Sequence, residues 1–379
     1  MSVANAPFGT AEILRELVSI PTPSAVSNLP LLHWVRDLLE PLGWRVKLYP
    51  NSDEAGVAKA NLIARPGAVD DGSPIELAFV CHSDTVPYAP DWAGALSLEE
   101  RNGRLHGCGA CDVKGALACF LAAAALVGEL TANVALLLTA DEEIGCKGMD
   151  RLLAATELQI ASAIVSEPTS LRPGVAGKGY GLARVIVTGA EAHSAYPQMG
   201  ASAISAAARL IVDLEDAFTA GSADFPSDAL FLPPSTTLNI GTIQGGSAKN
   251  IIPGSCTFLL EWRPIPAHSQ AAITRHLQQV VDEAQLGNSR VRFELEILRA
   301  EPGFAPDARG SLQKKLAHLL PGAPAGISFG SEASRLARVA REVIVIGPGD
   351  MTTAHSSREC VPVVELEAWT ATLAQLLRG

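Results

Sequence analysis

The stretch Val134-Ala135-Leu136-Leu137-Leu138-Thr139-Ala140-Asp141-Glu142-Glu143-Ile144-Gly145 decides how this chain is read. The run Val134–Leu138 is apolar without alternation, the pattern of a strand covered on both faces. It opens directly into adjacent carboxylates, Glu142 and Glu143. In α/β proteins catalytic groups gather where strands of the sheet end. Neighbouring side chains of a loop can point in different directions, so one carboxylate can hold a metal while the other handles a proton.

Outward from this strand the chain alternates helices with mostly apolar strands. Leu, Trp and Val recur three or four apart over Ala11–Val18 and Leu31–Leu42, which predicts helices. Extended segments follow at Arg45–Tyr49, Asn61–Ala64 and Ile75–Val80, then a helix over Lys114–Val127. Beyond Val134–Leu138 come a helix near Asp150–Ala155 and a strand at Ala161–Val165. This order predicts an α/β fold: a central, mostly parallel sheet flanked by helices.

The pattern changes after Pro173. Gly181–Thr188, Thr236–Thr242, Cys256–Trp262 and Val291–Leu298 read as strands, and Ala201–Phe218 and His268–Ala284 as helices. Beyond Pro302 the α/β style returns, with a helix at Leu312–Leu319, strands at Gly326–Phe329 and Val343–Ile346, and a helix at Val364–Leu377. The expected organisation is a discontinuous catalytic domain, residues 1–175 and 300–379, interrupted by an α+β insert over residues 176–299.

The balance of 40 acidic against 29 basic residues in 379, with no Lys/Arg-rich tract, argues against a nucleic-acid partner. The opening Met1–Gly9 has neither a basic nor an apolar leader region. Ala-rich Leu117–Val127 is too short to span a bilayer and lies between Lys114 and Glu129, so no membrane partner is expected. Cysteines at 81, 108, 111, 119, 146, 256 and 360 make an odd count without a secretion signal, which fits reduced thiols and a cytoplasmic location.

Five candidate metal ligands lie just beyond a predicted strand or at a Gly-rich turn: His82, Asp112, Glu143, Glu167 and His355. Two imidazoles with carboxylates suit zinc, with cobalt or manganese as substitutes. Two ions sharing one bridging carboxylate need this inventory. The motifs that carry these residues are Val80-Cys81-His82-Ser83-Asp84-Thr85, Gly107-Cys108-Gly109-Ala110-Cys111-Asp112-Val113-Lys114-Gly115, the Glu142-Glu143 run, Ser166-Glu167-Pro168-Thr169 and Gly347–His355. In that order they resemble the dinuclear zinc amidohydrolases: acetylornithine deacetylase, succinyl-diaminopimelate desuccinylase, aminoacylase and the glutamate carboxypeptidases.

The resemblance covers essentially the whole chain. It implies that Asp112 bridges two divalent ions, that His82 and Glu167 complete one site, and that Glu143 and His355 complete the other. It makes Glu142 the general acid/base and Asp84 the partner that orients the His82 ring. It also implies that the insert is a lid and the contact surface of a homodimer, with His193 donating to the oxyanion in the partner's site, and that Asn250 and Arg263 contact the substrate carboxylate. Cys81, where the family most often has Gly, and the pair Cys108 and Cys111 leave the ligand set intact and are the residues to watch for oxidation.

Ser328-Phe329-Gly330-Ser331-Glu332-Ala333-Ser334 resembles the acetylornithine and acetylcitrulline branch, with Glu332 suited to a cationic side chain. The expected activity is hydrolysis of N²-acetyl-L-ornithine in arginine biosynthesis. The alternatives are acetylcitrulline, a general aminoacylase or dipeptidase activity, and, from another class, a metal-binding relative without catalysis. Such relatives lose the base or a ligand, and this chain keeps Glu142 and all five candidates.

Overall fold

The structure is a computed structural model, and it describes residues 9–70, 72–128, 130–218, 225–307 and 309–378. Residues 1–8 of the stretch read above for a leader, and Glu129, lie outside the described residues. The chain divides into two compact units, one of Met1–Val175, Pro306–Ala325 and Ser331–Gly379, the other of Ala176–Ala305 and Gly326–Gly330. Residues 300–305 and 326–330, expected with the catalytic unit, belong to the other unit. The strand ending at Glu301 is hydrogen-bonded there, and Lys178 donates its backbone N–H to Ile327 O.

In the first unit a hairpin of β1 (Trp44–Ser52) and β2 (Ala58–Pro66) leads into β3 (Ile75–His82), β4 (Val134–Thr139) and β5 (Ile160–Val165). With the later strand Ala340–Val345 the order across the sheet is β1-β2-β4-β3-β5 and then Ala340–Val345. The last four strands of that order run parallel, and β2 meets β4 antiparallel. All six residues of β4 are buried, as its unbroken apolar run requires.

Helices α1 (Thr10–Ser19), α2 (Leu29–Leu39), α3 (Lys114–Val127) and α4 (Lys147–Ala155) flank the sheet, together with the C-terminal helix Val363–Arg378. α3 is buried all round from Lys114 to Ala124, because α1 and the C-terminal helix pack on it while Trp44 and Phe79 meet its Phe120 at 5.7 and 5.0 Å. Burial of each large apolar side chain here stabilises the unit by about 1.5–3 kcal/mol. Among the described residues no helix is long and apolar enough to cross a membrane.

In the second unit β6 (Tyr180–Thr188), β7 (Thr237–Gly245), β8 (Ser255–Arg263) and β9 (Arg292–Glu301) form an antiparallel sheet in the order β7-β8-β6-β9. Alternate residues point to one face: Ala183, Val185 and Val187 from β6, and Phe258, Leu260 and Trp262 from β8. That face is covered by Leu210 and Leu214 of α5 (Ala203–Ala217) and Leu277 and Val281 of α6 (Gln270–Leu286). Each helix begins on a serine cap: Ser202 accepts from the Ser205 N–H, and Ser269 from the Ala272 N–H.

Candidate metal centre

Parallel strands bring their carboxyl ends to one edge of the sheet, and the predicted ligands follow from that. His82 ends β3, Glu143 lies in the turn after β4, Glu167 lies just beyond β5, and His355 lies in the segment after Ala340–Val345. Asp112 stands two residues before α3, and Val113, not Asp112, occupies the helix cap. The Asp112 carboxylate is turned instead to the histidines.

That carboxylate is buried between two imidazoles. Its Oδ1 is 3.1 Å from His82 Nε2 and its Oδ2 is 3.1 Å from His355 Nε2. His355 Nε2 is also 3.2 Å from Glu143 Oε2. One ligand atom each from His82, Asp112 and Glu143 lies within 4.8 Å of the others. Glu143 Oε1 is buried without a hydrogen-bond partner among the described residues, which calls for a cation beside it. Imidazole nitrogens with carboxylate oxygens are the donors that zinc and its first-row neighbours take. The residues present therefore fit a divalent metal.

The electrostatics agree. Burial opposes ionisation of Asp112, yet its hydrogen bonds with His355 and His82 hold its carboxyl well below the ordinary range. Burial works against protonated His82 too, and the bond and charge of Asp112 outweigh it, so His82 titrates well above its ordinary value. Asp112 and Glu143 raise His355 to about 10. Glu167 is driven well upward by burial, then by the charges of Asp112 and Glu142. A buried cluster in which carboxylates repel and histidines retain protons is short of positive charge.

Glu142 differs from its neighbour. Both are partly buried, but burial lifts the Glu142 carboxyl to about 7. Its Oε1 accepts from the Cys146 thiol at 3.2 Å, and its carbonyl accepts the N–H groups of Gly145 and Cys146, both at 2.8 Å. The turn begins at Asp141, whose φ of 56° is left-handed. Asp141 is fully buried, ion-paired with buried Lys59 of β2 and, at 2.6 Å, with Arg151 of α4. Gly148 allows α4 to close on the strand end, since a Cβ there would lie 1.9 Å from Ala140 O.

Asp84 meets the His82 ring through its backbone. The His82 ring Nδ1–H donates to the Asp84 backbone carbonyl at 2.9 Å, while the nearest Asp84 carboxylate oxygen stands 3.7 Å from that nitrogen. The carboxylate instead accepts the Ser24 hydroxyl at 2.6 Å and the N–H groups of Glu142 and Glu143 at 3.1 and 3.3 Å. Asp84 thus holds the histidine through its backbone and the Glu142-Glu143 turn through its side chain.

Glu332, expected to read a cationic substrate group, is enclosed by protein in this structure. It is 1% exposed, its Oε1 has no hydrogen-bond partner among the described residues, and burial followed by the charge of Glu142 raises it to about 8. In this structure the carboxyl is closed off from solvent, with burial as the main cause of its raised pKa.

Two supports escaped the sequence reading. Buried Glu359 accepts the N–H groups of Cys111 and Asp112 at 3.1 and 3.2 Å. Glu365 accepts the Gly349 N–H at 2.8 Å, and Gly349 has φ 92° where a Cβ would lie 2.5 Å from Cys111 Cβ. The glycine lets the His355 segment pass against the Asp112 loop. All seven cysteines are free and buried, and burial raises the thiols of Cys81 and Cys108 to about 12 and about 11.

The remaining predicted residues lie in the second unit. His193 is exposed and pairs across a two-residue ladder with Ile251, next to exposed Asn250, whose carbonyl accepts the Ser194 N–H at 3.0 Å. Arg263 ends β8 with its guanidinium 4.6 Å from the centre of the Tyr180 ring.

A parallel sheet with two histidines on one buried carboxylate at its carboxyl edge, and an unshared glutamate beside them, defines a metal-dependent amidohydrolase. The sequence model of peptidase family M20/M25/M40 matches residues 78–379, and the chain belongs to that family. It is 42% identical to the acetylornithine deacetylase of Myxococcus xanthus over 363 residues, 96% of this chain and 95% of that one. Its fold resembles a tripeptidase of Staphylococcus aureus, with TM-score 0.75, 19% identity and 97% of each chain covered. It also resembles a Bacillus subtilis protein described as a dinuclear metal binding peptidase, with TM-score 0.71, 16% identity, and 97% of this chain and 96% of that one covered.

Proposed function

We propose that this chain hydrolyses the amide bond of N²-acetyl-L-ornithine to L-ornithine and acetate, a step of arginine biosynthesis, with two zinc ions in its metal centre. The bridging position of Asp112 between His82 and His355 is the observation that carries this reading. The 42% identity to an acetylornithine deacetylase over nearly the full length of both chains supports the choice of substrate. Asp112, His82 and Glu167 would hold one ion, and Asp112, Glu143 and His355 would hold the other. Such ions, when bound, make water more acidic and an amide carbonyl more electrophilic.

The chain's own groups do the rest. Glu142 takes the proton of the attacking water and returns it to the leaving amine nitrogen, a service worth about 10²–10⁴-fold. Its Cys146 contact and the Asp84 clamp fix the carboxylate over the site. The second unit serves as lid and homodimer surface. His193 donates to the developing oxyanion in the partner's site, and Asn250 and Arg263 bind the substrate carboxylate. The enzyme works in the cytoplasm without a nucleic-acid or membrane partner.

The test is initial-rate hydrolysis of N²-acetyl-L-ornithine by zinc-replete protein beside acetylcitrulline, acetylmethionine and succinyl-diaminopimelate, with Glu142→Ala as control. Preference for acetylornithine, abolished in the variant, is the expected result. Preference for another member keeps the chemistry and overturns the substrate. Turnover by the variant overturns the assigned base.

A further inference from the structure

Arg263 is placed in an unusual way within its own unit. Its side chain is 29% exposed, and its nearest carboxylate, Glu261, stands 3.6 Å away. Among the described residues its guanidinium makes no hydrogen bond. What holds it is an aromatic face, the Tyr180 ring, 4.6 Å from Cζ. A guanidinium resting on a ring keeps its in-plane N–H donors available, because stacking uses the π face and not the donors.

The ring itself is held from the next strand. β6 lies between β8 and β9, so Arg263 of β8 and Arg299 of β9 flank Tyr180. The Cζ of Arg299 is 4.8 Å from the ring centre. The two arginines differ in one respect. Arg299 is tied by Glu301, which accepts its Nε–H at 2.9 Å and its Nη2–H at 2.5 Å. Arg263 has only the longer ion pair with Glu261, 3.6 Å from Nη2, and no hydrogen-bonded carboxylate of this kind. The row Glu301–Arg299–Tyr180–Arg263 therefore ends in a guanidinium with donors to spare.

We propose that Tyr180, supported by Arg299, is the positioning residue that presents Arg263 to the carboxylate of the N-acyl amino acid. This rests on the reading of Arg263 given above. Tyr180 touches no substrate atom: its ring fixes the plane of the guanidinium so that a carboxylate meets a bidentate fork already oriented. The phenolic oxygen is dispensable and the aromatic face is not.

The experiment compares N²-acetyl-L-ornithine, or the panel member turned over in its place, with the same compound carrying a carboxamide for its carboxylate. Tyr180→Leu keeps apolar bulk and removes the π face, and Tyr180→Phe keeps the face. The expected result for Tyr180→Leu is a KM for the carboxylate substrate raised about three- to thirtyfold, the range of a cation–π contact. Its kcat and its KM for the carboxamide should stay within about twofold, and Tyr180→Phe should match the unsubstituted protein on both substrates. Equal losses on both substrates, or a loss in Tyr180→Phe equal to that in Tyr180→Leu, overturn the proposal. Arg263→Gln separates the underlying reading: if it leaves the KM of the carboxylate substrate unchanged, the role of Arg263 itself fails. If Arg263→Gln raises that KM and Tyr180→Leu does not, only the role of Tyr180 fails.

Discussion

Asp84→Asn is the most discriminating substitution in the metal centre, because it changes almost nothing in size and removes one specific service. The Asp84 carboxylate is 3% exposed and accepts three hydrogen bonds, from Ser24 and from the backbone N–H groups of Glu142 and Glu143. An asparagine has one acceptor oxygen, so its NH₂ must face one of the two amides or turn away from both. A buried amide left unsatisfied costs about 1–3 kcal/mol, and the bonds that survive lose their charge assistance. The total is about 2–5 kcal/mol. It falls on the turn that carries both Glu142 and Glu143, while the backbone carbonyl that holds His82 is kept. Loss of a support of this kind typically lowers metal affinity or activity by about 10–100-fold. Melting temperature, chelator competition for zinc, and kcat at saturating metal read the three consequences separately. Values for Asp84→Asn indistinguishable from the parent on all three would refute the clamp.

Other predictions follow from the same geometry. Glu142→Gln should lower kcat by about 10²–10⁴-fold with zinc stoichiometry unchanged by elemental analysis. Lys59→Met leaves buried Asp141 with Arg151 alone, and chemical denaturation should show a loss of about 3–5 kcal/mol. Glu332 has a folded pKa of about 8, above its unfolded value, so the folded state retains a proton that the unfolded chain loses. Its contribution is fully present below the unfolded pKa, and stability declines as pH rises towards about 8. Glu332→Gln should therefore raise the melting temperature relative to the parent at pH 8 and not at pH 4, as read by calorimetry. A pH-independent difference would count against a neutral buried carboxyl.

Much of the centre was legible because strand ends declare themselves. Apolar runs ending in His82, Glu143 and Glu167 put three side chains on one edge of a parallel sheet, and no long-range information was needed beyond the fold class. The supports were not legible. Glu359 reaches the Asp112 loop, and Lys59 reaches Asp141, across long separations in sequence, and neither has a local pattern that announces a partner. Asp84 came from the resemblance, as the partner of the His82 ring, and nothing in the sequence says which of its atoms meets that ring; the fold shows the backbone carbonyl there. Glu332 shows the opposite limit. The sequence offers this acid only as suited to a cationic group, by resemblance, and packing alone reveals that it is buried. The insert's strands were clear from their alternation, whereas the presentation of Arg263 by Tyr180 depends on which strands are neighbours.

The most direct test of the metal centre is titration of zinc into chelator-treated protein, with bound metal counted by elemental analysis and hydrolysis followed at each addition. Two equivalents per chain, falling in Asp112→Asn and accompanied by recovery of amide hydrolysis, is the predicted result. Full hydrolysis by the metal-free protein, or saturation without any dependence on Asp112, would contradict it.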